Sequence, residues 1–356
     1  MLDIDKLHDF ESVYEMQEKE RKVYLDYAKG VGILLVILGH VIEFNPGGDT
    51  YYLIKNWIYS FHMPLFFIIS GIIAGIKCQK RAEKSTESAI EVKKSVHRLA
   101  LPYFTWSFLY LIVIFIQNHS LNLERLWAVL SLRGIAPIWF LAALFISELV
   151  FWTILSDKKN KTILIAALLL FVFTMCFSSW FSIQKTSLEI YIQYPMVFLG
   201  RQMLALLFFI VGYECSILKL SANMKRFIVI FILMAFFFFS VTFNAYINMH
   251  AYAFENVGLF ILTGITGSIS IISICKIFNS SFSFLSWLGQ NSFDLMMLHY
   301  PPLPNIIIAG IILAKISLKN NILLSFIITL ILSITFSKVL NQIRSFFMIH
   351  NINLHI

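Results

Sequence analysis

Long apolar stretches alternate with short polar segments along nearly the whole chain. Ten of these stretches are long enough to cross about 30 Å of hydrocarbon as an α-helix, which rises about 1.5 Å per residue. They lie at residues 28–44, 57–76, 99–117, 136–155, 162–181, 198–216, 227–246, 257–277, 291–314 and 322–340. This pattern predicts an all-α polytopic integral membrane protein with about ten transmembrane helices.

The polar segments between these stretches predict the orientation of the chain. Cytoplasmic loops of membrane proteins hold an excess of lysine and arginine. With the N-terminus inside, the cytoplasmic segments hold 21 of the 28 lysines and arginines, and the outer segments hold 7. We therefore expect both termini in the cytoplasm, with an N-terminal segment at 1–23, a membrane domain at 24–345 and a C-terminal tail at 346–356.

Composition agrees with a membrane protein and limits the expected partners. Hydrophobic residues are 58% of the 356 residues and charged residues are 13%, whereas a soluble domain is about half apolar and a quarter charged. The net charge of +8 follows from basic residues on the cytoplasmic side, where they contact anionic lipid. We expect membrane lipids as partners and no nucleic acid. The four cysteines are dispersed without metal-ligand spacing, so we expect no metal.

The first apolar stretch carries ionisable residues at both of its ends. Lys29 and His40 are eleven residues apart, which at about 100° per residue returns to nearly the same helix face, and Asp26 lies about 60° from Lys29. His40 is then about 16 Å further along the helix than Lys29. Ionisable side chains within a span are costly and usually mark a pathway or a site. The alternative is that Lys29 anchors the helix at the interface and His40 is a hydrogen-bonded core histidine.

A second histidine is expected at a similar depth. His62 lies near the start of the next stretch, which runs back from the outside to the inside, and Pro64 follows it closely. Histidine takes and returns a proton near neutral pH, which suits a general base. His62 is therefore a second candidate beside His40, unless it is an interfacial histidine in an aromatic belt.

Six short motifs occur in a fixed order between Leu25 and Pro301. They are LDYAKGVGILLVILGH, FHMPLFFIISG, HRLALPYFTW, PIWFLAALF, LLFFIVGYE and LGQNSFDLMMLHYP. Each is short, but the ordered set resembles the acyltransferase-3 family, whose members are ten-helix inner-membrane enzymes that O-acylate bacterial surface sugars. The chain is most similar to the fucose 4-O-acetylase-like subgroup.

The resemblance implies a reaction and a donor. It implies transfer of an acetyl group from acetyl-CoA to a hydroxyl of a cell-surface polysaccharide, such as an O-antigen or exopolysaccharide, or of its lipid-linked precursor, in the bacterial inner membrane. A hydroxyl must lose its proton as it attacks a thioester, and His40 is our candidate base. Asp26, three residues before Lys29, is a candidate catalytic residue that either pairs with Lys29 and neutralises it or holds Lys29 towards the CoA phosphates.

The CoA phosphates need cationic partners at the cytoplasmic side. Lys29 and Arg98 are our candidates for these contacts. Anchoring at the cytoplasmic interface is the alternative for both residues. Many family members have arginine at the position of Lys29, and lysine does not offer the bidentate grip of arginine.

Three further residues are candidates for the acceptor site. His299 precedes prolines that break the ninth predicted helix, and broken helices in membranes line cavities; a structural role for His299 is equally open. Trp139 either stacks on a sugar ring or belongs to an interfacial belt. Arg201, at the outer end of its helix, either binds an acidic sugar or anchors that helix.

A proton-coupled secondary transporter is the alternative function. Ten spans, a proline-broken helix and intramembrane histidines are also typical of transporters. Against it, the two halves of the sequence show no paired repeat, and the first helix carries no carboxylate at mid-depth. An acyltransferase releases free CoA when an acceptor is present, whereas a transporter moves protons without consuming acyl-CoA.

Overall fold

The chain folds into a bundle of helices with one short hairpin. The structure, a computed structural model, describes residues 22–45, 48–83, 88–120, 122–185, 187–217, 225–244, 246–277, 282–300, 308 and 321–353. Its α-helices are α1 (Val23–Phe44), α2 (Asp49–Tyr59), α3 (His62–Glu83), α4 (Ser88–Ser95), α5 (Leu101–Asn118), α6 (Leu123–Leu130), α7 (Trp139–Val150), α8 (Asn160–Gln184), α9 (Ile190–Ile217), α10 (Lys225–Val241), α11 (Val257–Ile277), α12 (Ser283–Gln290), α13 (Ser292–Leu298) and α14 (Ile322–Asn353).

Short elements join several of these helices. Val96–Ala100 and Phe151–Leu155 are π-helical turns, and Ala136–Ile138 is a 3-10 turn. The antiparallel strands β1 (Ile247–Asn248) and β2 (Ala253–Phe254) form a hairpin between α10 and α11.

Eight helical segments of the described chain are long and apolar enough to cross a membrane. They are Val23–Phe44, Asp49–Gln79, Ser88–Asn118, Ala136–Leu155, Asn160–Gln184, Ile190–Ser216, Val257–Ile277 and Ile322–Ser345. These segments confirm the prediction of a multi-pass helical membrane protein.

The number of ten helices and the orientation of the termini stay predictions. The seventh predicted stretch, 227–246, overlaps α10, whose 17 residues are fewer than the about 20 of a full span. The ninth, 291–314, begins with α13 and then falls mostly outside the described residues, as does nearly all of the predicted N-terminal segment. α14 continues through the predicted start of the C-terminal tail.

Apolar residues cover the outside of the bundle as well as its core. α8 spans 25 residues, of which only Ile163, Thr174 and Phe181 are buried. Leu168 and Phe173 on the same helix are 64% and 63% exposed. A contiguous apolar surface of this kind would be a liability in water, so the exposed faces of α8 are suited to contact lipid.

Close contacts between helices hold the bundle together. α1 packs against α3, α11, α12 and α14, and α3 packs most extensively against α9. Gly71 and Gly212 permit this second contact, because an added Cβ at either glycine would stand within about 2 Å of a backbone oxygen of the other helix.

The two ends of the bundle hold different residues. The C-terminal end of α1, the first turns of α3 and α7, and the hairpin meet at one end of the bundle. The opposite end holds the first turn of α1 and most of the ion pairs of the described chain.

Candidate active site

His40 is in direct contact with His299, although the two residues are 259 positions apart. Nδ1 of His40 lies 2.7 Å from Nε2 of His299. The two rings are close to parallel, with centroids 5.0 Å apart. His299 immediately follows α13 and is fully buried, whereas His40 is half-buried and faces a cavity.

The surroundings of His299 determine which nitrogen atoms carry protons. Nδ1 of His299 is 2.9 Å from the carbonyl oxygen of Leu295. A carbonyl only accepts, so this nitrogen must donate, and Nε2 of a neutral His299 is then an acceptor. Nδ1 of His40 must therefore be the donor between the two rings. Nε2 of a neutral His40 is left with a free lone pair, as a general base requires.

His62 is held by a similar backbone contact. Its Nδ1 lies 2.9 Å from the carbonyl oxygen of Ile58, across the break between α2 and α3. Nδ1 therefore carries the proton, and Nε2 of a neutral His62 is also an acceptor. His62 thus offers a second acceptor nitrogen at the cavity that His40 lines, and its role as a base stays a prediction.

A cavity of about 70 Å³ opens beside His40. This volume holds a few water molecules or a small chemical group. Its walls are formed by Val36, His40, Glu43, Tyr59, His62, Met63, Ala136, Pro137, Trp139, Asn248, Met249, His250, Met296 and Tyr300.

One side of the cavity carries a hydrogen-bonded acid. The hydroxyl of Tyr59 donates to Oε2 of Glu43 at 2.8 Å, and Nζ of Lys55 is 3.8 Å from Oε1 of Glu43. The Tyr59 ring lies 5.0 Å from that of His62, and the Tyr300 ring lies 4.6 Å from that of His40, between centroids. These aromatic rings enclose the two histidines from the sides.

The hairpin between α10 and α11 brings a histidine to the cavity that the sequence did not identify. His250 lies in the turn between β1 and β2. Asn244 holds the base of this loop, because its side chain donates to the carbonyl of Asn256 at 3.2 Å while its own carbonyl accepts from Asn56. Burial, with Arg201 and Arg133 nearby, holds the pKa of His250 well below its usual range, so it is neutral near pH 7.

A strained loop delivers Trp139 to the cavity. Leu132, Gly134 and Ala136 have φ angles of 58°, 73° and 49°, and left-handed backbone is uncommon for residues other than glycine. A Cβ at Gly134 would stand 2.6 Å from Cα of Trp139. Backbone strain of this kind clusters at functional sites, where the surrounding structure maintains it.

Arg201 lies next to Trp139 and is 1% exposed. Its Cζ is 5.0 Å from the centroid of the indole, and its Nη2 donates to the carbonyl of Arg133 at 2.7 Å. The indole also lies beside His250, with ring centroids 6.3 Å apart. Trp139 therefore contacts both Arg201 and His250, and it lines the cavity that contains His40.

Asp26 and Lys29 lie at the other end of α1. Nζ of Lys29 is 4.0 Å from Oδ1 of Asp26, in agreement with the predicted pairing of these two residues. Asp26 is fourteen residues from His40, or about 21 Å along a helix. It is therefore remote from the histidine site.

Arg98 is engaged in an ion pair at this same end. Its Nη2 lies 2.5 Å and 2.6 Å from the two carboxylate oxygens of Glu148, which is buried and also accepts from Ser95. The Arg98 side chain is 54% exposed. It lines a surface pocket together with Lys77, Lys93 and Lys94.

The structure thus divides the predicted site residues into two groups. The first group lies at the histidine end. His40, His62 and Trp139 line one cavity there, His299 contacts His40, and Arg201 stacks on Trp139. Asp26, Lys29 and Arg98 are remote from it. Among the described residues, no group of three or more His, Cys, Asp or Glu side chains is arranged to hold a metal ion.

Comparison with known proteins gives a family match over most of the chain. A family model described as an acyltransferase domain matches residues 22–341. A nodulation protein NolL of Mesorhizobium japonicum is 31% identical over 132 residues, which are 36% of this chain and 34% of that protein. A nodulation protein NolL of Sinorhizobium fredii is 41% identical over 58 residues, 15% of this chain and 16% of that protein. The alignments thus cover about a third or less of each relative. No solved structure matches the chain.

Proposed function

Because the chain belongs to the acyltransferase-3 family, we propose that it is a membrane O-acetyltransferase with His40 as its general base. The donor is acetyl-CoA, and the acceptor is a hydroxyl of a cell-surface polysaccharide or of its lipid-linked precursor. The observation that carries this proposal is the contact between His40 and His299, which leaves Nε2 of His40 unprotonated beside a cavity.

The reaction proceeds by proton removal and acyl transfer. Nε2 of His40 takes the proton of the acceptor hydroxyl as its oxygen attacks the thioester carbonyl. His40 then carries a positive charge, and its Nδ1–H donates to the neutral Nε2 of His299, which stabilises the imidazolium. When the C–S bond breaks, the thiolate leaves and takes the proton from His40. One C–O bond replaces one C–S bond, and His40 returns to its neutral form.

The donor spans the two ends of the bundle. Its phosphates bind at the basic end, where Lys29 and Arg98 lie, and the pantetheine arm covers the roughly 16 Å along α1 between Lys29 and His40. Only the acetyl group has to enter the cavity, and about 70 Å³ suits a group of that size better than a sugar ring. The excess of lysine and arginine at the basic end supports its assignment to the cytoplasmic side of a bacterial inner membrane.

The acceptor approaches the histidine end from the opposite side of the membrane. Trp139 lines the cavity there and offers an aromatic face for a sugar ring. The hairpin that carries His250 forms the neighbouring wall. Hydrogen bonds between Asn244 and Asn256 hold the base of this hairpin in place.

A radiolabel experiment tests this function. The detergent-purified protein is mixed with acetyl-CoA labelled in the acetyl group and with glycans extracted from bacterial cell surfaces. We expect label to enter the glycan as an alkali-labile ester, together with an equal amount of free CoA thiol. Protein that stays folded but produces neither ester nor thiol with a broad set of glycans would contradict the proposal. Proton-coupled flux in proteoliposomes under the same conditions would establish the transporter instead.

A further inference from the structure

Arg201 has an incomplete set of hydrogen bonds in a buried position. Its Nε donates to the carbonyl of Val197 at 3.3 Å and its Nη2 to that of Arg133. Its Nη1 is buried and has no hydrogen-bond partner. The ion pairs within the described chain do not include Arg201. Burial of a cation without an anion removes its hydration without an ion pair in return, so the free protein maintains this charge at a cost in stability.

Two neighbouring groups share this lack of partners. Nε of Arg133 and Nε2 of His250 are likewise buried and make no hydrogen bond. The Arg133 guanidinium stacks over the ring of Tyr194, with Cζ 4.0 Å from its centroid, and so lies flat against apolar surface. Three nitrogen atoms on three different elements thus lack partners. Their residues are neighbours, because Arg201 donates to the carbonyl of Arg133 and the charges of both arginines lower the pKa of His250.

The position of this cluster links it to the reaction. Arg201 stacks on one ring, Trp139, that also lines the cavity of His40. His250 lines the same cavity, and Arg201 is the charged group that lowers the pKa of His250 most, after the effect of burial. The cluster lies at the histidine end, remote from the basic residues proposed for the CoA phosphates. An anion bound here therefore belongs to the acceptor rather than to the donor.

We propose that Arg201, with Arg133 and His250, forms an anion-binding subsite that holds a carboxylate or phosphate group of the acceptor. The naming of the acceptor rests on the proposed acyltransferase function; the anion site itself does not. Nη1 of Arg201 donates to the anion, and Nε2 of His250 adds a second donor in the tautomer that carries its proton there. Acidic sugars and lipid-linked sugar phosphates both supply such a group.

Direct binding without any acyl donor tests the subsite. The detergent-purified protein is titrated with glucuronate, glucose 1-phosphate and glucose, and binding is followed by ligand-observed NMR and by the shift in melting temperature. We expect the two anions to bind and glucose to bind at least tenfold more weakly. Binding of glucuronate alone would identify an acidic sugar, and binding of glucose 1-phosphate alone would identify a sugar phosphate; both support the subsite.

Substitution of Arg201 provides the decisive comparison. Arg201→Gln should reduce anion affinity by about 10- to 100-fold, as expected for loss of a charge-assisted hydrogen bond, and Arg201→Lys should retain part of it. Arg125→Gln is the matched control for loss of a nearby positive charge, because Arg125 is exposed on the neighbouring helix α6 and acts on Arg133 and His250 only through its charge. A folded Arg201→Gln protein that binds anions as before would overturn the proposal.

The anion titration also distinguishes a failure of this proposal from a failure of the proposed function. Anion binding that depends on Arg201, without any acetyl transfer, would leave the subsite standing and contradict the acyltransferase. If transfer occurs and Arg201→Gln slows charged and neutral acceptors equally, Arg201 acts on the reacting carbonyl instead, and the acceptor subsite is wrong.

Discussion

His40 and His299 form a hydrogen-bonded pair in which His299 fixes the protonation of His40. Nδ1 of His40 and Nε2 of His299 are 2.7 Å apart, and the carbonyl of Leu295 holds the proton on the far nitrogen of His299. The acceptor is thus a neutral ring, in the place where a carboxylate would orient the histidine of a hydrolase triad. His299 is a positioning residue in this account, since it acts on the reaction through His40.

His299→Gln and His299→Leu should differ in activity. The side-chain oxygen of glutamine can accept from Nδ1–H of His40, whereas leucine leaves this donor unsatisfied. We expect His299→Leu to lower kcat/KM by about tenfold or more, which corresponds to one hydrogen bond, and His299→Gln to recover part of the loss. The pH profile of kcat/KM should move in His299→Leu because the pKa of His40 changes. An unchanged profile, with a loss explained by lower thermal stability, would indicate a purely structural role.

A double variant distinguishes two roles of Arg98, stabilisation of the fold through Glu148 and binding of the donor phosphates. Arg98→Met leaves the buried Glu148 carboxylate without its ion-pair partner, and we expect a loss of about 1–3 kcal/mol in the free energy of unfolding. Arg98→Met with Glu148→Gln should recover most of this stability. If Arg98 also binds the donor phosphates, the KM for acetyl-CoA stays raised in the double variant. A KM that returns to the parental value would show that Arg98 serves the fold alone.

Gly134 should not tolerate a side chain. Its φ of 73° costs a residue with a Cβ about 1–2 kcal/mol, and the new Cβ would stand 2.6 Å from Cα of Trp139. Gly134→Ala should therefore lower the melting temperature and reduce acetyl transfer by displacing Trp139. Gly48→Ala is the control, since nothing lies within 4 Å of a Cβ at Gly48. Equal effects of the two substitutions would contradict the role of this loop.

His250 should make the protein sensitive to acid. Its pKa in the folded protein lies well below the value of about 6.5 in the unfolded chain, so the unfolded state binds more protons. The free energy of unfolding therefore falls as the pH drops below about 6.5. The melting temperature of His250→Gln should decline less between pH 7.5 and pH 5.5 than that of the parent.

The control for acid stability is an exposed histidine. His119 follows α5, is exposed and has a left-handed backbone that asparagine also adopts. His119→Asn should decline with pH as the parent does. A decline of the parental size in His250→Gln would contradict the buried neutral state of His250.

The apolar pattern predicted most of the helices because each stretch matches the thickness of a bilayer. The depth of His40 and His62 followed from the same count, since helix rise fixes position along a span. The rise also places Asp26 about 21 Å from His40 and one helical turn from Lys29, with which it pairs. The contact between His40 and His299 lay beyond the sequence, because helix periodicity does not say which helices pack together.

The sequence does not predict the hairpin that carries His250, and the reason is physical. Its strands are two residues long, too short to show the alternation that identifies a strand. The loop is held by Asn244 and Asn256, whose hydrogen bonds depend on the packing of α10 against α11. The buried state of Arg201 was missed similarly: an arginine near the predicted end of a helix is usually an interfacial anchor.

Substitution of His40 tests the central claim most directly. His40→Asn retains an amide donor in the place of Nδ1 for His299 and removes the base; His62→Asn does the same for His62, and His119→Asn is the control. The measurement is the free CoA thiol released from acetyl-CoA per minute, with and without glycan. The proteins compared have equal melting temperatures. We expect a loss of about 10²- to 10⁴-fold in His40→Asn and near-parental rates in His119→Asn. Glycan-dependent release that persists in His40→Asn and disappears in His62→Asn would contradict the account and assign the base to His62.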